Sequence, residues 1–152
     1  MLHNKNTEFV MYVDNFLDDK TLKDLQNTLT KIEYSESKDK HGRVYGRRHT
    51  FFGEHHKSDP VIKLIKQYFF PHRNLVAENN VCANFLFFVK GEPLLNNGTG
   101  FMKNDQLSSH IGFVENRALF FNGSKILHSD LQSFGDSSPR YTLNIFFREE
   151  NE

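Results

Sequence analysis

After Pro71 the chain breaks into short apolar runs, and these constrain the fold more than any other feature of the sequence. They read VCANFLFFV (81–89), NGTGFMK (97–103), RALFF (117–121) and YTLNIFF (141–147), with Gly, Asn, Asp and Ser between them. Runs this short cannot sustain helices that bury a face on their own, whereas aromatic and β-branched residues fit a pleated surface and the intervening residues favour turns. Sixteen phenylalanines against no tryptophan make the core a phenylalanine core. The implied architecture is a set of short strands closing into a sandwich or jelly roll.

The N-terminal half carries a different period. FVMYVDNFL (9–17) reads as an opening strand, and Asp18 is a good cap for a helix in which Leu22, Leu25, Leu29 and Ile32 form one apolar stripe. Residues 33–48 are polar, with Gly42 and Gly46, and read as a loop or a weak hairpin. From Ser58 a second helix is expected, with Pro60 in its first turn and Val61, Leu64, Ile65 and Tyr68 on one side. Helices first and strands after give the class α+β, with two N-terminal helices supporting a sheet. At 152 residues the expectation is one domain spanning 1–152.

Charge excludes some partners. Lys plus Arg and Asp plus Glu each total 19, so no global field draws the chain to nucleic acid or to an anionic membrane. The local excess KDKHGRVYGRR (38–48) is of a kind more often solvated than bound to a polyanion. Cys82 is the sole cysteine, which rules out an intramolecular disulfide and a cysteine metal cluster and suits a reducing, cytoplasmic setting. No stretch approaches the roughly 20 apolar residues of a membrane helix, and no secretory leader is read at the N-terminus. Homo-oligomerisation is left open.

Chemistry concentrates near the C-terminus. In PRYTLNIFF (139–147) the strand period of two puts Arg140, Thr142, Asn144 and Phe146 on one face and Tyr141, Leu143, Ile145 and Phe147 on the other, which is core. A guanidinium beside a hydroxyl at the mouth of a barrel suits a bound carboxylate. The plainer alternative is an exposed strand end whose arginine pairs with a surface acid. His128 lies twelve positions before Arg140, and a lone histidine is more often structural than a ligand unless a second histidine and a carboxylate complete a site with open positions.

The segment GFVENRALFFNGSKILHSDLQSFGDSSPRYTLNIFF (112–147), with NNGTGF (96–101) upstream, resembles the C-terminal half of the iron(II)/2-oxoglutarate-dependent dioxygenases, in particular the prolyl-hydroxylase-like branch of bacteria and phages. RRHTFFGEHHKSDPVIKLI (47–65) and YVDNFLDDKTLKDL (12–25) are similar to the family's earlier segments. The resemblance implies a double-stranded β-helix (jelly roll), iron(II) and 2-oxoglutarate as cofactors, and hydroxylation of an unidentified small-molecule or peptide substrate. By position, His128 matches the distal metal ligand, while Arg140 and Thr142 match the clamp on the 2-oxoglutarate carboxylate. The family's H-x-D pair is missing or degenerate. Its nearest counterpart is His72-Arg73-Asn74, with a neutral amide where the carboxylate belongs. The second reading is therefore a catalytically inactive jelly-roll relic serving as a binding or structural module.

Overall fold

The computed structural model describes residues 9–49, 59, 60, 63, 67, 81–131 and 139–148. The elements in chain order are β1 (Val10–Val13), α1 (Asp19–Leu29), β2 (Ser35–Lys38), β3 (Val44–Arg48), β4 (Val81–Lys90), β5 (Leu94–Lys103), β6 (Gln106–Phe113), β7 (Arg117–Phe121), β8 (Leu127–Asp130) and β9 (Tyr141–Arg148). Contacts divide the chain into two compact units, Asp19–Ala77 and Met1–Asp18 with Glu78–Glu152.

In the first unit, α1 buries Thr21, Leu22, Leu25 and Leu29, the expected stripe, and stops before Ile32. Hydroxyl groups near its C-terminal end donate to helix carbonyls, and Tyr34 meets the last of them. Thr28 Oγ1 donates to Asp24 O at 3.0 Å, Thr30 Oγ1 to Gln26 O at 2.9 Å, and the Tyr34 hydroxyl to Leu29 O at 2.7 Å. The stretch 33–48 is an antiparallel hairpin, β2 on β3. Asp39 organises its turn, accepting from the backbone N–H groups of His41 (2.8 Å) and Arg43 (3.0 Å) and from Arg43 Nε (2.9 Å). Gly42 takes the positive φ of +79° that the turn requires. Among the described residues there is one α-helix where two were expected. The second expected helix falls mostly outside them, and its start shows Lys63 N donating to Asp59 O at 3.1 Å, a helical turn.

The other unit holds a four-stranded antiparallel sheet, order β1-β7-β4-β9, and a three-stranded one, order β6-β5-β8. Alternation along β4 sends Phe85, Phe87 and Val89 to one face and Asn84, Leu86 and Phe88 to the other. The first face packs aromatic on aromatic: Phe16 lies 5.6 Å from Phe85 and 5.9 Å from Phe87, and Phe85 lies 4.8 Å from Phe120. The second face meets the three-stranded sheet in a core of Phe88, Phe101, Phe113, Leu119 and Phe121. Two ring pairs cross between the sheets, Phe88 to Phe113 at 4.6 Å and Phe101 to Phe121 at 5.3 Å.

Asn116 ties the N-terminal segment to this sandwich. It sits in the turn before β7 at φ +64°, a left-handed conformation that asparagine tolerates. Its side chain accepts from Leu17 N at 2.9 Å and donates to Leu17 O at 2.8 Å. Its backbone accepts from Phe16 N at 3.0 Å and donates to Phe88 O at 2.8 Å.

Two strands were absent from the sequence expectation, β6 and β8. The first five residues of β6 are exposed and β8 has four residues, so neither carries a readable apolar alternation.

Candidate functional site

The register of β5 with β8 sets the site. Phe101 stands opposite His128 and Thr99 opposite Asp130. Opposed residues of an antiparallel pair share a face, and Phe101 belongs to the core, so His128 and Asp130 both lie on the inward face of the three-stranded sheet. The Phe121 ring meets the His128 ring edge-on, with centroids 4.7 Å apart. His128 Nδ1 lies 3.0 Å from the carbonyl oxygen of Ile126. A carbonyl only accepts, so Nδ1 carries the proton of that bond and Nε2 is the nitrogen left to accept a proton or bind a metal.

Arg140 stands immediately before β9, and its side chain is only 7% exposed. Its guanidinium carbon lies 5.0 Å from the centre of the Phe113 ring and 6.0 Å from that of Phe88. Gly91 makes room for its stem: a Cβ there would stand 2.9 Å from Phe113 and 3.4 Å from Arg140 Cγ. Nη2 donates to Asp130 Oδ1 at 3.3 Å, and the Asp130 side chain is 69% exposed. Burial lowers the Arg140 guanidinium's hold on its proton, while the facing carboxylate of Asp130 acts in the opposite direction. One element of the alternative drawn from spacing is therefore present, the pairing with a surface acid, and the other, an exposed arginine, is not. The arginine pairs with a surface acid, yet is itself buried on two aromatic rings.

Thr142 and Asn144 lie opposite Phe88 and Leu86 on β4 and share their face, with both side chains exposed. The expected alternation of β9 holds at its centre, where Leu143 and Ile145 are buried and Phe146 is exposed. The interior also carries polar atoms that find no hydrogen-bond partner among the described residues: Asn84 Oδ1, Asn97 Oδ1 and Thr99 Oγ1. Their residues are 2%, 5% and 2% exposed, so these groups have lost water without protein compensation. Of these, Thr99 faces Asp130 directly and His128 diagonally.

The fold thus brings His128, Asp130 and Arg140 to one inner side, with Thr142 on the facing sheet. His72 and Asn74 lie outside the described residues, and among those described no three His, Cys, Asp or Glu side chains gather as a metal site. His110 stands opposite Gly100, on the outward face, with Nε2 3.2 Å from Leu95 O. Asp59 is engaged at 2.7 Å by His49, whose other nitrogen lies 3.1 Å from Glu33 O. Sequence reasoning missed Asp130. Its signal was the spacing of His128 and Asp130, two apart and so on one face of any strand, but β8 itself went unread.

No family model and no curated protein matches the sequence. Among solved structures the chain is similar to a prolyl hydroxylase from Trichoplax adhaerens, determined in complex with a hypoxia inducible factor oxygen degradation domain peptide fragment. The TM-score is 0.58 at 13% identity, over 94% of this chain and 84% of that one. A likeness at this identity is one of fold. No helix among the described residues is long and apolar enough to cross a membrane.

Proposed function

We propose that this chain is a domain of the iron(II)/2-oxoglutarate dioxygenase type, a jelly roll that binds 2-oxoglutarate through Arg140 and Thr142. The observation that carries this reading is the buried guanidinium. Arg140 is 7% exposed, backed by Phe88 and Phe113, and reaches Asp130 on the inner face that His128 shares. A guanidinium held this way has one rigid direction in which to meet a carboxylate, and desolvation strengthens the bond it makes there. The Thr142 hydroxyl supplies a further donor on the opposite sheet. The likeness of fold to a prolyl hydroxylase supports the reading independently.

The metal half is supported by one residue. The His128 imidazole, oriented by its bond to Ile126 O, is suited to hold iron(II) through Nε2. His72 and Asn74 are the sequence candidates for the remaining positions. With iron(II) bound, the domain would couple decarboxylation of 2-oxoglutarate to succinate with hydroxylation of a substrate C–H bond. His128 fixes direction, Arg140 and Thr142 fix the cosubstrate, and the phenylalanine core beneath them excludes water.

One observation favours the second reading, a binding module without catalysis. Asn74, in place of a carboxylate, is a neutral and weaker ligand for a hard divalent cation. Two measurements separate the readings. Calorimetry with 2-oxoglutarate should give binding that Arg140→Ala abolishes; unchanged affinity in that variant refutes the clamp. Anaerobic titration with iron(II) and 2-oxoglutarate should give the metal-to-ligand charge-transfer band of the enzyme reading. Binding of 2-oxoglutarate with no band and no retained metal leaves the binding module.

A further inference from the structure

We infer that Asp130 sets the affinity of the Arg140 site by occupying it: its carboxylate stands in for the ligand carboxylate and must be displaced before the ligand binds. The inference rests on the clamp reading above and deepens it. Three features carry it. The pair is asymmetric, with the arginine 7% and the aspartate 69% exposed, so the buried partner is fixed and the exposed one is free to leave. The contact is long for a charge-assisted bond, Nη2 to Oδ1 at 3.3 Å. The aspartate also lies on the inward side of the three-stranded sheet, where it faces Thr99.

Two effects then oppose an incoming carboxylate. The existing pair must break, and a displaced Asp130 remains tethered nearby as a like charge. Thr99 Oγ1, buried and without a hydrogen-bond partner among the described residues, lies on the face that this exchange would open. A ligand oxygen reaching it would satisfy a group that the ligand-free protein leaves uncompensated. The device therefore favours a ligand with two polar ends over a simple carboxylate such as acetate, because only the longer ligand gains the Thr99 contact in exchange for the lost pair.

The test is calorimetry of the full chain with 2-oxoglutarate and with acetate, comparing wild type, Asp130→Asn and Thr99→Val. Asp130 is largely exposed, so the asparagine variant is expected to fold, which circular dichroism checks. The exposed-pair range, increased by removal of the like charge, gives an expected gain of about fivefold in 2-oxoglutarate affinity for Asp130→Asn. Thr99→Val should weaken 2-oxoglutarate and leave acetate unchanged. Equal or weaker 2-oxoglutarate binding by Asp130→Asn overturns the inference while leaving the clamp standing. No binding to wild type or to Asp130→Asn overturns the clamp, and the inference with it.

Discussion

Phe121 packs in the core between the two sheets. It is 1% exposed, sits opposite Asn84 on β4 and Val10 on β1, and its ring meets Phe101 at 5.3 Å and His128 at 4.7 Å. Phe121→Ala removes three contributions together. The first is transfer of the ring from water, about 1.5–3 kcal/mol. The second is the two ring contacts, about 0.5–1.5 kcal/mol each. The third is the cavity left between sheets that the Phe88–Phe113 pair holds apart. The first two together bracket the usual cost of about 3–5 kcal/mol for such a truncation, and the cavity pushes toward the upper end. A protein of this size loses about 2–4 °C in Tm per kcal/mol, so a fall of roughly 10 °C is expected. Urea denaturation should show a lower midpoint at unchanged slope. Phe121→Leu, at about 1–2 kcal/mol, guards against a variant that fails to fold. Phe146→Ala is the control, since Phe146 is 51% exposed and its loss should stay within about 0.5 kcal/mol. If Phe121→Ala costs no more than Phe146→Ala, the two sheets do not pack through Phe121.

Other perturbations test separate parts of the structure. Asn116→Ala strands the N–H and C=O of Leu17 and strains a positive φ, so denaturation should show a loss of about 2–4 kcal/mol. Asn116→Gly relieves only the strain and should fall between that variant and wild type. A Cβ at Gly112 would stand 2.6 Å from Leu95 Cα, so Gly112→Ala should cost about 2 kcal/mol or more, whereas Gly46→Ala, with open space around it, should be near neutral. Asp14 accepts from Arg117 Nη2 at 2.9 Å, and that hydrogen bond holds its carboxyl below the usual range. A lowered folded value means the stabilisation is present above the unfolded value of about 3.9 and is lost as pH falls through the folded one. The stability gap between wild type and Asp14→Asn should therefore be under about 1 kcal/mol at neutral pH, because Asp14 is half exposed, and should close in acid. His128→Ala should lower metal retention and cost no more than its ring contact with Phe121, about 0.5–1.5 kcal/mol; a larger destabilisation would mark the histidine as a packing residue of Phe121.

The sequence was most legible where burial imposes a period. RALFF became β7 with the expected bounds, and YTLNIFF became β9 with Leu143 and Ile145 turned inward. The stripe of Leu22, Leu25 and Leu29 was legible for the same reason. β6 was not, because its exposed residues carry no apolar contrast. β8 was not, because its identity as a strand comes from pairing with β5 and not from its own four residues. The candidate site divided likewise. Arg140 and Thr142 were placed on one face by simple alternation, but the Asp130 partner needed the register of a strand that local pattern does not reveal. The capping role of Asn116 was equally hidden, because it depends on Leu17, 99 positions away.

That separation has a consequence for how the molecule is made. Among the described residues β1 pairs with β7 alone, and the segment after it is anchored by the bonds of Phe16 and Leu17 to Asn116. While a ribosome synthesises the chain, the 99 residues between anchor and partner take roughly 5 to 20 s to emerge at about 5–20 residues per second. Through that interval the strand bearing Met11, Tyr12 and Val13 has no edge to join. The four-stranded sheet is therefore completed only after β7, and then β9, has been made.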